Sequence, residues 1–162
     1  MDAPKKDPAK WGTTVTDVIP ATIDKVWAVL ADFDGLQRHF PKMVATCDTV
    51  EGQPNKVGSL RLAKGVMPGG QVVEARERLL TYDEVNHTTS YAIEKFNHGW
   101  TGFVAHIKVE SVEKGQTLVK WSFELDPVTN ITEEEFLQRH SVLYTTALRL
   151  LKRRVAKCRS RM

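Results

Sequence analysis

Cysteine is almost missing from this chain. Cys47 and Cys158 are its only two, and their spacing makes neither a disulfide framework nor a zinc site. Long apolar runs are missing too, since nothing approaches the roughly 18 residues a membrane-spanning helix needs. Met1 to Lys10 is polar, contains Pro4 and Pro8, and lacks the apolar segment of a signal peptide. The expected compartment is therefore the cytosol, where the triplets Asn86-His87-Thr88 and Asn130-Ile131-Thr132 carry no glycosylation meaning. Charge of one sign is scarce: the formal net charge is +3. Much of the basic excess is Lys152, Arg153, Arg154, Lys157, Arg159 and Arg161, which suits the C-terminal end of a helix dipole. No second basic stripe or nucleic-acid module accompanies it, so no nucleic-acid partner is expected. The five histidines form no pair with ligand spacing, and no glycine-rich phosphate loop or nucleophile elbow is present. Neither a metal nor a cofactor is expected.

What remains is an ordinary globular composition, 41% hydrophobic and 27% charged over 162 residues. That length suits one domain with its own core, 11–162, behind a loose arm, 1–10. Trp11 to Ile19 reads as a strand ending at Pro20. Ile23, Val26, Trp27 and Leu30 follow at helical spacing, with Thr22 placed to cap them. Asp32 to Phe40 reads as a second short helix or turn. Strands are expected at Val44–Glu51, Val57–Lys64, Val72–Leu80, His87–Lys95, Thr101–Glu110 and Thr117–Leu125, with turn signals between them. A capping-box pattern, Thr132 with Glu135, opens a long amphipathic helix. Its buried stripe is Phe136, Leu143, Tyr144, Ala147, Leu148, Leu151 and Val155. The expected class is α+β in a helix-grip layout. A curved antiparallel sheet of about seven strands holds a long C-terminal helix, two short helices follow the first strand, and an internal cavity lies between.

Glu77 shares strand parity with Val73, Ala75 and Leu79, which turns it toward the apolar face. A lone carboxylate there is costly unless a cation compensates. Arg61 lies on the preceding strand. Two readings fit: a general base beside an anion-anchoring guanidinium, or a buried ion pair that fixes register. Lys64 to Gly70 is either a lid over the cavity mouth or a plain hairpin loop. Trp27, Tyr91, Trp100, Phe103, Trp121 and Phe123 are candidates to line the cavity, joined by Met67 from the loop and His140 from the last helix.

With these residues in view, the chain resembles the plant lachrymatory-factor synthase branch of the START-like, polyketide-cyclase-like superfamily. The likeness runs from about Lys10 to the last helix. It rests on Lys10-Trp11-Gly12, Val50-Glu51-Gly52 through Asn55, Val57-Gly58, Arg61 through Met67, Glu77, and Trp121-Ser122-Phe123. The resemblance implies a cofactor-independent enzyme that rearranges an alkenyl sulfenic acid to a thial S-oxide. Arg61 would hold the sulfenate-like oxygen while Glu77 shuttles the proton. Phe103 stands where that family has a pocket tyrosine and offers no hydroxyl, whereas Tyr91 matches another family tyrosine. Abscisic acid receptors share the fold, and His39-Phe40-Pro41-Lys42 is similar to their segment with a ligand-anchoring lysine. That makes Lys42 a further candidate, although the receptors' gate and latch sequences are absent. A passive carrier needs only the cavity. Every reading has a small hydrophobic or sulfur-containing metabolite as partner and a monomer or weak dimer as the assembly.

Overall fold

The computed structural model describes residues 6–67 and 69–160, with side chains as far as Ala156. Met1 to Lys5, Pro68 and the side chain of Cys158 lie outside the described residues. The rest of the expected arm is held at the base of the sheet. Lys10 forms an ion pair with Asp126, and its backbone N–H donates to the Asp7 carbonyl.

Seven antiparallel strands form one curved sheet: β1 (Trp11–Ile19), β2 (Val44–Glu51), β3 (Leu60–Val66), β4 (Val72–Asp83), β5 (Thr88–Phe96), β6 (Val104–Glu113) and β7 (Gln116–Leu125). Their spatial order is β1-β7-β6-β5-β4-β3-β2. All neighbours but β1 and β7 are therefore consecutive hairpins, and the connection from β1 to β2 must cross from one edge to the other. Helix α1 (Ile23–Leu30), a 3-10 turn (Phe33–Gly35) and α2 (Leu36–His39) make that crossing. Helix α3 (Glu133–Ser160) packs into the concave face. This is the helix-grip α+β architecture.

Alternation decides which side of each strand faces α3. On β6 and β7, Ala105, Ile107, Val109, Val119, Trp121, Phe123 and Leu125 are all buried. The register sets Ile107 opposite Trp121 and Ala105 opposite Phe123. On α3, Phe136, His140, Tyr144, Leu148, Leu151 and Val155 are buried at helical spacing. The helix is tied at both ends by polar contacts. Thr132 Oγ1 accepts from the Glu135 N–H at 3.1 Å, Lys152 pairs with Asp17 of β1 at 2.7 Å, and Arg154 donates to the Arg38 carbonyl at 2.9 Å.

The later strands differ from the sequence expectation by one to three residues at their ends, with β4 running on to Asp83 and β6 spanning Val104–Glu113, and both ends of the third strand differ in a way that bears on the site. The third strand starts at Leu60 rather than Val57, because Gly58 takes a positive φ and the Ser59 N–H turns back to the Lys56 carbonyl. Val57 is left 59% exposed. The same strand runs on through Val66, which pairs with Val72, so the connector that was expected to begin at Lys64 shortens to Met67–Gln71. Gly65 within it matters for a close approach: a Cβ there would run into the carbonyl oxygen of Met43. The missing side chain is what lets the backbone entering β2 lie against β3.

Thr132→Ala removes the bond that satisfies one free N–H of the first helical turn. The expected loss is about 1 kcal/mol of unfolding free energy, read from urea denaturation.

Candidate functional site

A cavity of about 180 Å³ lies between the concave sheet face and α3. Its walls are mostly apolar. For scale, an apolar protein cavity of roughly 150 Å³ holds one benzene, so the space is of the size that takes a small molecule.

Arg61 and Glu77 face each other across β3 and β4, directly opposite in register. Both line the cavity, and they are 4% and 9% exposed. Arg61 Nε donates to Glu77 Oε1 at 2.8 Å, and Arg61 Nη1 donates to the Phe33 carbonyl at 2.6 Å. The guanidinium carbon lies 3.9 Å from the ring centre of Phe33 and 4.8 Å from that of Tyr91, both within cation–π range. Burial works against the charge on Arg61, but Glu77 outweighs it, and the guanidinium stays above its ordinary pKa. Among the described residues, Nη2 of Arg61 and Oε2 of Glu77 make no hydrogen bond, so each has capacity left for a ligand. Between Arg76 and Glu77 the pairing of β4 with β5 shifts register, a bulge that bends the sheet at the carboxylate. Cys47, on β2, lies close enough to feel both charges, but burial pushes its thiol up to about 11. It is an inert thiol.

A second polar group sits toward α3. Tyr144 and Trp121 are 3% and 7% exposed, and their rings stack with centres 4.1 Å apart. The hydroxyls of Tyr91 and Tyr144 are near enough to influence each other's ionisation, and the Trp121 indole N–H is near enough to both to act on them. Nevertheless neither Tyr144 OH nor Trp121 Nε1 completes a hydrogen bond. Burial is the main reason that Tyr91 is pushed up to about 12 and Tyr144 well above its ordinary value, so both stay protonated donors. His140, one turn before Tyr144, also leaves both ring nitrogens unpartnered, and burial holds it down at about 3. It is a neutral imidazole with one donor and one acceptor. An unsatisfied buried polar group costs about 1–3 kcal/mol, so this row is expensive unless something in the cavity completes it.

The structure brings Arg61, Glu77, Tyr91, Phe103, Trp121, Met67, Trp100 and His140 to one cavity wall. Lys42 is a correction. It is exposed and does not line the cavity, because the turn between α2 and β2 points it outward while its neighbours Phe40 and Met43 face in. Phe123 is another: it is buried against Phe103 and His140 at ring-centre distances of 5.8 and 4.5 Å, within the core rather than on the wall. Trp27 packs on Tyr82 and His87 at 5.5 and 5.2 Å, also away from the cavity. His106 is half-buried, on the face of β6 opposite Ala105 and Ile107. Two contributors were not singled out from sequence. Phe33 supplies a carbonyl and a ring to Arg61, and Tyr144 had been read only as part of a buried helix stripe.

Residues 10–156 match the family model described as polyketide cyclase / dehydrase and lipid transport. The chain belongs to this family. Among solved structures it is similar to the protein XoxI from Bacillus cereus, with a TM-score of 0.73 and 24% identity over 88% of this chain and 93% of that one. It is similar also to major latex-like protein 151 from ginseng, Panax ginseng, with a TM-score of 0.71 and 18% identity over 91% and 95%. Both are likenesses of fold. The polyketide cyclase / dehydrase family supports a ligand-binding or cyclase-type role for the cavity. Among the described residues no cluster has the makings of a metal site, and no helix is long and apolar enough to cross a membrane.

Two outcomes are expected. Arg61→Met strands the Glu77 carboxylate in an apolar wall and lowers stability by about 3–5 kcal/mol, whereas Arg61→Met with Glu77→Leu recovers most of the loss; urea unfolding of both variants checks this. The second concerns pH. His140 titrates at about 3 in the fold and at about 6.5 when unfolded, so between those values the unfolded chain binds a proton that the fold refuses. Stability therefore falls as pH drops below about 6.5, by at most ~1.4 kcal/mol per unit from this group. His140→Phe flattens that part of a stability-versus-pH curve.

Proposed function

We propose that this protein is a cofactor-independent proton-transfer enzyme of the isomerase or cyclase type, acting on a small, mostly apolar metabolite. The observation that carries the reading is Glu77: a carboxylate on the wall of a small apolar cavity, fixed by Arg61 through one oxygen and with the other unengaged. A base held that way has its orientation set before substrate arrives. The apolar walls keep bulk water from competing for the proton.

The sequence resemblance supports a finer version, rearrangement of an alkenyl sulfenic acid to a thial S-oxide. In that reaction Glu77 takes the O–H proton, a sulfur lone pair forms the carbon–sulfur double bond, and the alkene pair it displaces takes up the returned proton at the alkene carbon remote from sulfur. No atom is gained or lost. Arg61 has Nη2 available to follow the oxygen as its O–H bond breaks. Phe103 supplies no hydroxyl at the position where that family has a tyrosine, and Tyr91 with Tyr144 keeps phenolic groups at the cavity.

A second reading, a non-catalytic carrier, is favoured by one observation. Arg61 already spends Nε and Nη1 within the protein, as a purely structural ion pair would. An abscisic-acid-receptor-like binder is less well supported, since Lys42 faces outward.

The test couples the protein to a source of alkenyl sulfenic acid and compares it with Glu77→Gln. Turnover is expected to fall by about 10²- to 10⁴-fold in the variant, while an apolar probe still binds. Equal turnover in both would reject Glu77 as the base, and a pure carrier would release every ligand unchanged.

A further inference from the structure

Glu77 and Arg61 stand on β4 and β3, and a different chemistry stands where α3 meets β7. Tyr144 and Trp121 are both more than nine-tenths buried and both line the cavity; the Tyr91 hydroxyl lies close to both, yet neither Tyr144 OH nor Trp121 Nε1 completes a hydrogen bond. Their rings lie parallel, with centres 4.1 Å apart and planes 14° apart, so the two donors are borne on one stacked unit. His140 continues the row, with its ring centre 4.7 Å from that of Tyr144 and both nitrogens open. Each of these groups is neutral. The Arg61–Glu77 pair is neutral as a unit, because the carboxylate cancels the guanidinium at 2.8 Å. Apart from Lys64, an exposed residue of β3 on the lining, the cavity has polar groups but no unbalanced charge, and a ligand charged at the Tyr144–Trp121 end would sit there without a counter-ion among these groups.

We infer that Tyr144 and Trp121 form the anchoring site for an uncharged acceptor oxygen on the ligand, a carbonyl or hydroxyl oxygen on an otherwise apolar body of about ring size. Trp121 Nε1 only donates, and Tyr144 OH donates to the same atom or to its second lone pair. The apolar body then fills the space lined by Phe103 and Ile107, within the cavity that Glu77 also lines. The anchor selects by what it lacks as well as by what it has. A hydrocarbon of the same shape leaves the donors unsatisfied, and a carboxylate seated on them finds only neutral groups in the Tyr144–Trp121–His140 row. This assignment deepens the reading of the cavity as a substrate site and rests on that reading only for the identity of the bound molecule, not for catalysis.

The experiment titrates isotope-labelled protein with cyclohexanone, methylcyclohexane and cyclohexanecarboxylate, reading dissociation constants from amide shifts of the cavity-lining residues. Wild type is expected to bind the ketone about five- to tenfold tighter than the hydrocarbon, the size of one or two net hydrogen bonds, with the carboxylate weakest. Tyr144→Phe keeps the ring and its stacking, so it should bind the hydrocarbon unchanged while most of the ketone preference disappears. Hydrocarbon binding serves as the check that the variant is folded. Trp121→Phe should reduce the preference in the same direction. The inference is overturned if Tyr144→Phe keeps the full ketone preference, if wild type shows none because water already occupies the donors, or if the carboxylate binds tightest. Glu77→Gln retains the ketone preference whether or not it turns substrate over, so failure of the catalytic reading and failure of this one are separate results.

Discussion

A guanidinium only 4% exposed has to be neutralised where it sits, and the surroundings of Arg61 are organised around that demand. Glu77 supplies the opposite charge from the next strand, the Phe33 carbonyl accepts a second N–H, and the rings of Phe33 and Tyr91 present their faces to the cation. Each partner comes from a different element, so one charge fixes the register of β3 against β4, the position of the 3-10 turn and the rotamer of a residue on β5. Removing the pair as a whole is a mild change by comparison with removing half of it. The cavity's shape and its reactive group thus share a cause.

The interior that results is polar, and its buried charges cancel as a pair. On one wall an ion pair closes on itself, and on the other a stacked tyrosine and tryptophan present donors with nothing to receive them. An apolar cavity with a few convergent polar groups is what small-molecule sites look like in general. Here anchoring and proton transfer fall to different residues, Tyr144 of α3 and Trp121 of β7 for the first and Glu77 of β4 for the second. Such separation suits chemistry that moves a proton within one molecule, because the substrate is held at a point other than the one that reacts.

How much of this the residues announced in advance depended on period. Strand parity is strict, so Val73, Ala75, Glu77 and Leu79 were legible as one face, and Arg61 opposite Glu77 followed from adjacent antiparallel strands. The caps and stripe of α3 were legible for the same kind of reason. What was not legible needed three dimensions. A buried helix stripe reads the same whether a residue meets another side chain or an empty space, so Tyr144 was indistinguishable from Leu148. Phe123 shares a strand face with Trp121, and only the curvature of the sheet puts one behind Phe103 and the other on the wall. Lys42 was placed by likeness to another family's segment, and a one-residue difference in how a turn exits is enough to aim a side chain at solvent. The early strand start at Val57 failed because a glycine and a lysine–serine turn, not apolar pattern, set the boundary there.

The long helix is fastened near its ends, at Thr132 and again at Lys152 and Arg154, by contacts that never reach the cavity. Its middle turns carry His140 and Tyr144 and bear none of that tethering. Backbone pairing in the sheet is likewise indifferent to them. A lineage built on this scaffold is therefore free to exchange residues in those middle turns, one at a time, and so change which molecules it accommodates. Neither the latches nor the acid–guanidinium couple has to be rebuilt, and that is a permissive arrangement for divergence within a family whose members share a shape more than a sequence.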